Sequence, residues 1–300
     1  MHMSQFCLKI IALIAMTIDH VGLVFGTDGW NLLTLDSSVL RSIGRIAFPL
    51  FAFCLAQGWQ KTHNRKRYFQ NLAFGALASQ IPFSMAFDSQ NLAAAHSSES
   101  LFVFSWPYLF CATVSAWVYW RFVLHKRYEH SLILVVMAAL VPGIQWKITG
   151  YWILSENLNV FYTFLLAFFC LYILAHRFEF EKEERLGILI ATPVLLVAYG
   201  LPADYGTGLL GIVLIAGFCI LEKNEQQILF LLLWSCFYYG FLVGNPISML
   251  SCACAGIFIL LYNPEVRGRF RAKKLFYGYY PIHLLILGLI NAGLLYRILF

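Results

Sequence analysis

Long apolar runs separated by short polar segments occupy almost the whole of this chain. A helix rises about 1.5 Å per residue, so a run of about 20 residues can cross a hydrocarbon layer of about 30 Å. The pattern therefore predicts an all-α fold, a polytopic transmembrane helical bundle of about 10–11 spans. The predicted helices lie at about 8–26, 44–60, 68–87, 101–121, 131–144, 158–176, 186–201, 206–221, 228–243, 246–262 and 275–298.

The composition agrees with a membrane protein. Hydrophobic residues make up 60% of the chain and charged residues 12%, whereas soluble domains are about 45–50% apolar and about 25% charged. This leaves no room for a large soluble domain, and we predict a single integral-membrane domain over residues 1–300. We expect no nucleic-acid partner, because basic cytoplasmic loops account for the net charge of +6.

The distribution of basic residues predicts the orientation. If the N-terminus is cytoplasmic, segments on that side carry 17 of the 21 lysines and arginines, as the positive-inside rule requires. The chain then crosses the bilayer about eleven times, or about ten times if one weak run does not cross. No Walker A, HExxH, CxxC or GxSxG motif is present, so we predict no metal site and disfavour ATPases, metalloproteases and serine hydrolases.

Asp19 and His20 are the most informative residues of the first run. His20 lies about 18 Å along the helix from Leu8, which is well inside the hydrocarbon layer. At such a depth an ionisable residue is unfavourable, and an aspartate near the middle of a bilayer costs about 3 kcal/mol. The two side chains point about 100° apart. Asp19 shares its face with small residues such as Gly22, which allows a close partner helix. Asp19 and His20 are the candidate catalytic residues, with His20 as the general base; the alternative for His20 is a histidine hydrogen-bonded inside a bundle.

The second run opens with a charged, broken segment. Pro49 cannot donate a backbone hydrogen bond, and such breaks persist in membranes where they are buried or line a cavity. Arg45 enters the layer at a depth comparable with Asp19, so we predict an Asp19–Arg45 ion pair that also aims a guanidinium at a phosphate or carboxylate. The alternative is an interfacial arginine that extends towards water.

The last run carries a second buried imidazole. His283 lies about 13 Å along the helix from Lys274, and Tyr280 precedes the helix-disturbing Pro281. We predict that Arg45, Tyr280, His283, Lys273 and Lys274 bind a cofactor.

Three residues on the outer side of the membrane are candidate substrate ligands. They are Arg41, Asp204 and Tyr205. For Asp204 the alternative role is the N-cap of a helix at a loop turn.

Three segments together resemble the TraX family, conjugal-transfer membrane proteins that acetylate the N-terminus of F-type pilin. They are the first-run segment that ends in Asp19-His20, the segment Gly44-Arg45-Ile46-Ala47-Phe48-Pro49-Leu50-Phe51-Ala52, and the segment from Phe276 to Leu284. The second segment is the most specific, because Gly-Arg and Phe-Pro-Leu-Phe occur together. The pattern of spans is similar along almost the whole chain.

The resemblance implies a function and a set of partners. It implies an N-acetyltransferase of the bacterial cytoplasmic (inner) membrane that uses acetyl-CoA as co-substrate. His20 would be the catalytic base, with Asp19, Arg45 and His283 beside it. The acceptor would be the N-terminus of a pilin, another exported peptide amine or a surface glycan.

Two other functions stay open at this stage. A proton-coupled transporter would use Asp19, His20, Arg45 and His283 as a relay, although the two matching halves common in transporters are not evident. A non-catalytic scaffold of an export or conjugation machine would bind no acyl-CoA.

Overall fold

The computed structural model describes residues 2–26, 36–87, 159–175, 209–266 and 273–299. Within these ranges the secondary structure is helical, apart from one isolated bridge between Met3 and Tyr262. The helices, numbered over these ranges, are α1 Gln5–Phe25, α2 Ser37–Gly44, α3 Ala47–Lys61, α4 Arg65–Phe87, α5 Val160–Ala175, α6 Leu209–Ile220, α7 Asn224–Ser235, the π-helix Cys236–Leu242, α8 Pro246–Leu260 and α9 Lys273–Leu299.

Each predicted run that falls within the described ranges coincides with a helix or a pair of helices. The predicted run at 228–243 corresponds to α7 and the π-helix together, and that at 44–60 corresponds to α3 with α2 before it. The runs predicted at 101–121, 131–144 and 186–201 lie outside the described residues. The all-helical class is confirmed for the part of the chain that the structure describes.

Short polar side chains mark where several helices begin. Ser4 accepts a hydrogen bond from the backbone N–H of Cys7 at the start of α1, and Asp36 accepts one from Ser38 at the start of α2. Asn245 caps α8 in the same way. The first amide groups of a helix lack intrahelical acceptors, so these side chains satisfy donors that would otherwise be lost.

The small residues of α1 bring α2 very close. A Cβ atom added to Gly22 would lie 2.5 Å from the Cβ of Leu40, and one added to Gly44 would collide with the Cβ of Asp19. Asp19 is therefore packed against a neighbouring helix, as the small-residue face of α1 predicts. Only glycine allows this approach, because any side chain would force the backbones apart.

The second apolar run contains a break, which lies before Pro49 and not at the proline itself. The chain leaves α2 at Gly44 and enters α3 at Ala47, and the N–H of Arg45 bonds to the carbonyl of Ser42 at 3.1 Å. Pro49 lies in the first turn of α3, where its missing N–H removes no intrahelical bond. The break therefore places Arg45 at a junction between two helices.

Helix α3 lies at the centre of the core. Its residues are buried along nearly its whole length, and Phe53 is completely enclosed. The ring of Phe53 packs edge-on against Phe218 of α6 and against Tyr262 after α8. Trp59 packs in the same way against Phe168 of α5. These contacts join α3 to helices that come much later in the chain.

The contacts also give the directions of the helices. Gly22 of α1 approaches Leu40 of α2, and Gly26 just after the end of α1 approaches Ser37 at the start of α2. The order is reversed, so α1 and α2 are antiparallel. The first and last helices are parallel, because three contacts occur in the same order along both: Lys9 with Phe276, Thr17 with Tyr279, and His20 with His283.

Among the residues that the structure describes, two stretches, Gln5–Phe25 and Ser37–Lys61, are long and apolar enough to cross a membrane by length and composition. Both are compatible with a membrane protein. The ten or eleven spans expected from the sequence stay a prediction.

Candidate functional site

Two histidines from opposite ends of the chain form the centre of the candidate site. Nδ1 of His20 on α1 lies 2.8 Å from Nε2 of His283 on α9, and the two rings are nearly parallel with centroids 5.1 Å apart. A hydrogen bond between two ring nitrogens requires one donor and one acceptor. At most one of the two imidazoles is therefore charged.

A second contact between α1 and α9 lies one turn away from the histidine pair. The hydroxyls of Thr17 and Tyr279 are 2.7 Å apart, and the Thr17 hydroxyl donates to the carbonyl of Leu13 at 2.8 Å. Since that proton is committed to Leu13, the Tyr279 hydroxyl donates to Thr17. The two contacts fix the register of α1 against α9.

Tyr279 also holds the ring of His283. Nδ1 of His283 lies 3.0 Å from the backbone carbonyl oxygen of Tyr279, and the two rings are stacked with centroids 5.1 Å apart. The His283 side chain is only 7% exposed. Both ring nitrogens of His283 thus have a partner, and its orientation is fixed on two sides.

Aromatic rings from α4 and α9 pack against His20. The Phe87 ring contacts it edge-on at 5.0 Å, and Tyr280 lies at 6.2 Å. Tyr280 is buried and also packs against Phe161 of α5. His20 itself stays partly exposed.

The other pair predicted from the sequence is also present. An Arg45 guanidinium nitrogen lies 3.6 Å from Oδ1 of Asp19, and the two side chains are 20% and 17% exposed. The predicted Asp19–Arg45 pairing is therefore confirmed. At 3.6 Å the contact is an ion pair rather than a hydrogen bond.

Arg41 lies on α2, about one helical turn before Arg45 at the junction. Within the described part of the chain, its buried Nε atom has no hydrogen-bond partner. Arg41 on α2 and Arg45 just after its end thus bring two positive charges close to Asp19. Such a concentration of positive charge favours an anionic group on a substrate.

Tyr239 belongs to the site although the sequence did not single it out. Its ring lies 6.0 Å from the Arg45 guanidinium, on the short π-helix. π-helical turns are rare in proteins, and those that occur are often found at functional sites. The signal in the sequence is the aromatic run Cys236–Leu242, which has no helical periodicity to predict which ring points inwards.

For four predicted site residues, the structure describes no side chain at this centre. Lys273 and Lys274 begin α9, about two to three turns before His283, and their side chains lie outside the description. Asp204 and Tyr205 lie outside the described residues. No cluster of three or more His, Cys, Asp or Glu within the described ranges is suited to hold a metal.

Comparison with known proteins gives two matches. The model of a family described as "TraX protein" matches residues 4–152 and 101–291, two overlapping segments that together span almost the whole chain. The "Probable fimbrial assembly protein FimC, serogroup H1" of Dichelobacter nodosus is 25% identical over 303 residues, which cover 95% of this chain and 94% of that protein. No solved structure matches the chain.

Proposed function

The chain belongs to the TraX family, and on this premise we propose that it is a membrane-embedded acetyltransferase. It moves an acetyl group from cytoplasmic acetyl-CoA to the amine of an exported acceptor, such as the N-terminus of a pilin subunit. His20 is the general base. A role in pilin assembly is supported by the family and by the printed name of the Dichelobacter relative, a probable fimbrial assembly protein.

The observation that carries this proposal is the hydrogen bond between His20 and His283. It restricts the pair to at most one positive charge, so at least one of the two imidazoles is neutral, and the proposal assigns a neutral ring to His20 before the reaction. It also leaves Nε2 of a partly exposed His20 outside the pair. An oriented, neutral histidine with one free nitrogen is the arrangement that proton abstraction requires.

The reaction needs only a base, a thioester and an amine. The amine nitrogen attacks the thioester carbonyl carbon and gives its proton to His20, so a C–N bond forms. The C–S bond then breaks, and the proton passes from His20 to the leaving thiolate. The Arg45 guanidinium or the Tyr280 hydroxyl stabilises the oxyanion between the two steps. The thioester supplies the driving force.

The remaining predicted residues take roles in binding. Lys273 and Lys274 attract the phosphates of acetyl-CoA at the cytoplasmic end of α9, while Arg41, with Asp204 and Tyr205, contacts the acceptor. Asp19 holds the Arg45 guanidinium in place. Both ring nitrogens of His283 are already bonded, so the proposal gives His283 a role beside the base rather than a direct contact with the coenzyme.

A multi-pass location in the bacterial cytoplasmic membrane is part of the proposal. Large apolar side chains on α7, α8, α9 and the π-helix are exposed, among them Phe241 at 78%, Leu250 at 62% and Leu289 at 57%. Such a surface is stable in lipid and unfavourable in water. The parallel first and last helices favour an odd number of crossings, and thus eleven rather than ten, because each crossing reverses the chain.

The hydrogen-bond pattern gives less support to a proton-coupled transporter. From His283 the chain of hydrogen bonds continues to the backbone carbonyl of Tyr279, which accepts a hydrogen bond but has no proton to pass on. A relay through His283 would therefore stop at this point in the described structure.

The test is acetylation of a candidate pilin in membranes that contain the full chain. Labelled acetyl-CoA is supplied, and the N-terminus of the pilin is analysed by mass spectrometry. His20→Gln should lower turnover by about 10²–10⁴-fold, the range for loss of a general base. The matched control is His63→Gln, at an exposed histidine between α3 and α4, which should keep full activity. Full turnover in His20→Gln would exclude His20 as the base.

A further inference from the structure

We infer that His283 is a positioning residue that fixes the tautomer of His20, so that Nε2 of His20 holds the lone pair that takes the acceptor's proton. The inference deepens the proposed function and rests on it for the identity of the reaction. It assigns a role to a residue that touches neither the thioester nor the amine.

The backbone of Tyr279 determines which ring nitrogen of His283 carries a hydrogen. Its Nδ1 atom faces the backbone carbonyl oxygen of Tyr279 at 3.0 Å. A carbonyl oxygen only accepts hydrogen bonds, so Nδ1 of His283 carries the hydrogen. Its Nε2 atom then holds either a lone pair or, in the charged ring, a second hydrogen.

The burial of His283 favours the neutral ring. The side chain is 7% exposed and is stacked against Tyr279 and packed edge-on against Tyr280. A charge enclosed in this way is unfavourable without a counter-ion, and the carboxylate next to His20 in the sequence, that of Asp19, is paired with Arg45. Nε2 of His283 therefore holds a lone pair and accepts a hydrogen bond.

The lone pair on Nε2 of His283 in turn determines the tautomer of His20. Because Nε2 of His283 accepts, Nδ1 of His20 at 2.8 Å must donate. A neutral His20 then has its only ring hydrogen on Nδ1 and a lone pair on Nε2. A tautomer with the hydrogen on Nε2 would set two lone pairs against each other at 2.8 Å, which is repulsive.

The same bond assists the chemical step. When Nε2 of His20 takes a proton from the attacking amine, the ring becomes positively charged and Nδ1–H still donates to His283. A hydrogen bond from a charged donor is roughly twice as strong as a neutral one. His283 therefore stabilises the charged form of His20 that exists while the proton is in transit, and later the proton leaves from Nε2 to the thiolate.

The spectroscopic experiment uses isotope-labelled histidine in the full chain, reconstituted in lipid nanodiscs. Nuclear magnetic resonance distinguishes the two tautomers by the shifts of the ring carbons and nitrogens, and the signals of His20 are identified by their loss in His20→Gln. We expect the tautomer with the hydrogen on Nδ1 in the unmodified protein. In His283→Leu, which removes the acceptor, we expect a mixture of the two tautomers.

Two further variants separate positioning from general damage. His283→Gln keeps an acceptor oxygen at a reach similar to that of Nε2, so the tautomer with the hydrogen on Nδ1 should be restored. Tyr279→Phe removes the hydroxyl but keeps the backbone carbonyl that holds His283, so the tautomer of His20 should not change. If His283→Leu does not fold, His283→Gln and Tyr279→Phe still test the assignment in the folded protein.

The kinetic readout is the separation of kcat from KM for acetyl-CoA. His283→Leu should lower kcat by about 10–100-fold, the factor for loss of a hydrogen bond to a charged group. The KM should stay within a factor of about 3, since His283 does not touch the coenzyme, and His283→Gln should recover most of the kcat. A purely structural role would not give rescue by glutamine together with an unchanged KM.

The outcomes distinguish this inference from the proposed function. A His20 tautomer with the hydrogen on Nε2, or one that is the same in His283→Leu as in the unmodified protein, would overturn the inference. If no acetyl transfer is found but the tautomer depends on His283, the proposed function fails and the positioning role stands. If acetyl transfer occurs and His283→Leu has unchanged kcat, the function stands and the positioning role fails.

Discussion

His20 and His283 stand 263 positions apart in the sequence, yet Nδ1 of one and Nε2 of the other are 2.8 Å apart. One turn earlier on each helix lies a residue with a hydroxyl group, Thr17 before His20 and Tyr279 before His283, and these two hydroxyls are 2.7 Å apart. The first and last described helices are thus joined by two consecutive polar contacts. This double contact holds the base of the proposed reaction in one orientation.

The first prediction concerns the Asp19–Arg45 ion pair. Asp19→Asn should lower the free energy of unfolding by about 1–3 kcal/mol, because it removes the carboxylate that compensates a largely buried guanidinium. The double variant Asp19→Asn with Arg45→Gln should cost less than the sum of the two single changes. Reversible denaturation in mixed micelles measures all three. Costs that simply add would mean that the two residues do not interact.

The second prediction concerns the close approach of α1 and α2. Gly44→Ala should destabilise the protein by about 1–3 kcal/mol, because the new methyl group collides with the Asp19 side chain. Gly293→Ala on α9 is the matched control, since nothing lies within 4 Å of its added Cβ; there alanine should be neutral or stabilising by up to about 1 kcal/mol. Thermal unfolding in detergent gives both values. Equal effects at the two sites would contradict the close packing.

The third prediction concerns the hydroxyl contact between α1 and α9. Thr17→Val and Tyr279→Phe each remove one partner of the 2.7 Å contact. Each should cost about 0.5–1.5 kcal/mol, the net value of a typical hydrogen bond. In the double variant the cost should be clearly smaller than the sum, with a coupling of at least about 0.5 kcal/mol. A coupling of zero would show that the hydroxyls do not meet in the folded protein.

The fourth prediction concerns the two ends of the proposed bundle. Asp36 and His63 are both exposed, at the start of α2 and just after the end of α3. In a background without the eight native cysteines, Asp36→Cys should react with a membrane-impermeant maleimide on intact cells. His63→Cys should react only after the cells are permeabilised, because α2 and α3 lie between the two sites. Equal labelling of both on intact cells would contradict the predicted topology.

Much of the helical architecture follows from local sequence. The length of an apolar run predicts a helix regardless of what packs against it, and α1 and α9 coincide with predicted runs to within a few residues. The polar cap at Ser4 and the small-residue face around Gly22 are also local features. Only the small-residue face was predicted, and α2 packs against it; the cap at Ser4 is a finding of the structure.

The position of the break in the second run could be determined only from the structure. Pro49 suggested a kink within one helix, whereas the chain turns at Arg45 and Ile46, before the proline. Proline is compatible with a kink and with the first turn of a helix. The packing of Gly44 against Asp19 fixes where α2 lies, and this contact depends on α1.

The sequence by itself determined the long apolar helices, although not the short helix α2, and it marked Asp19, His20, Arg45 and His283 as polar groups in apolar runs. Only the tertiary structure decided their partners, pairing Arg45 with Asp19 and His283 with His20, and added Tyr239 and Tyr279. The physical reason is that helix formation depends on neighbours within about four residues. The periodicity of one helix shows which face a residue occupies, but the identity of the opposite helix depends on how the whole chain packs.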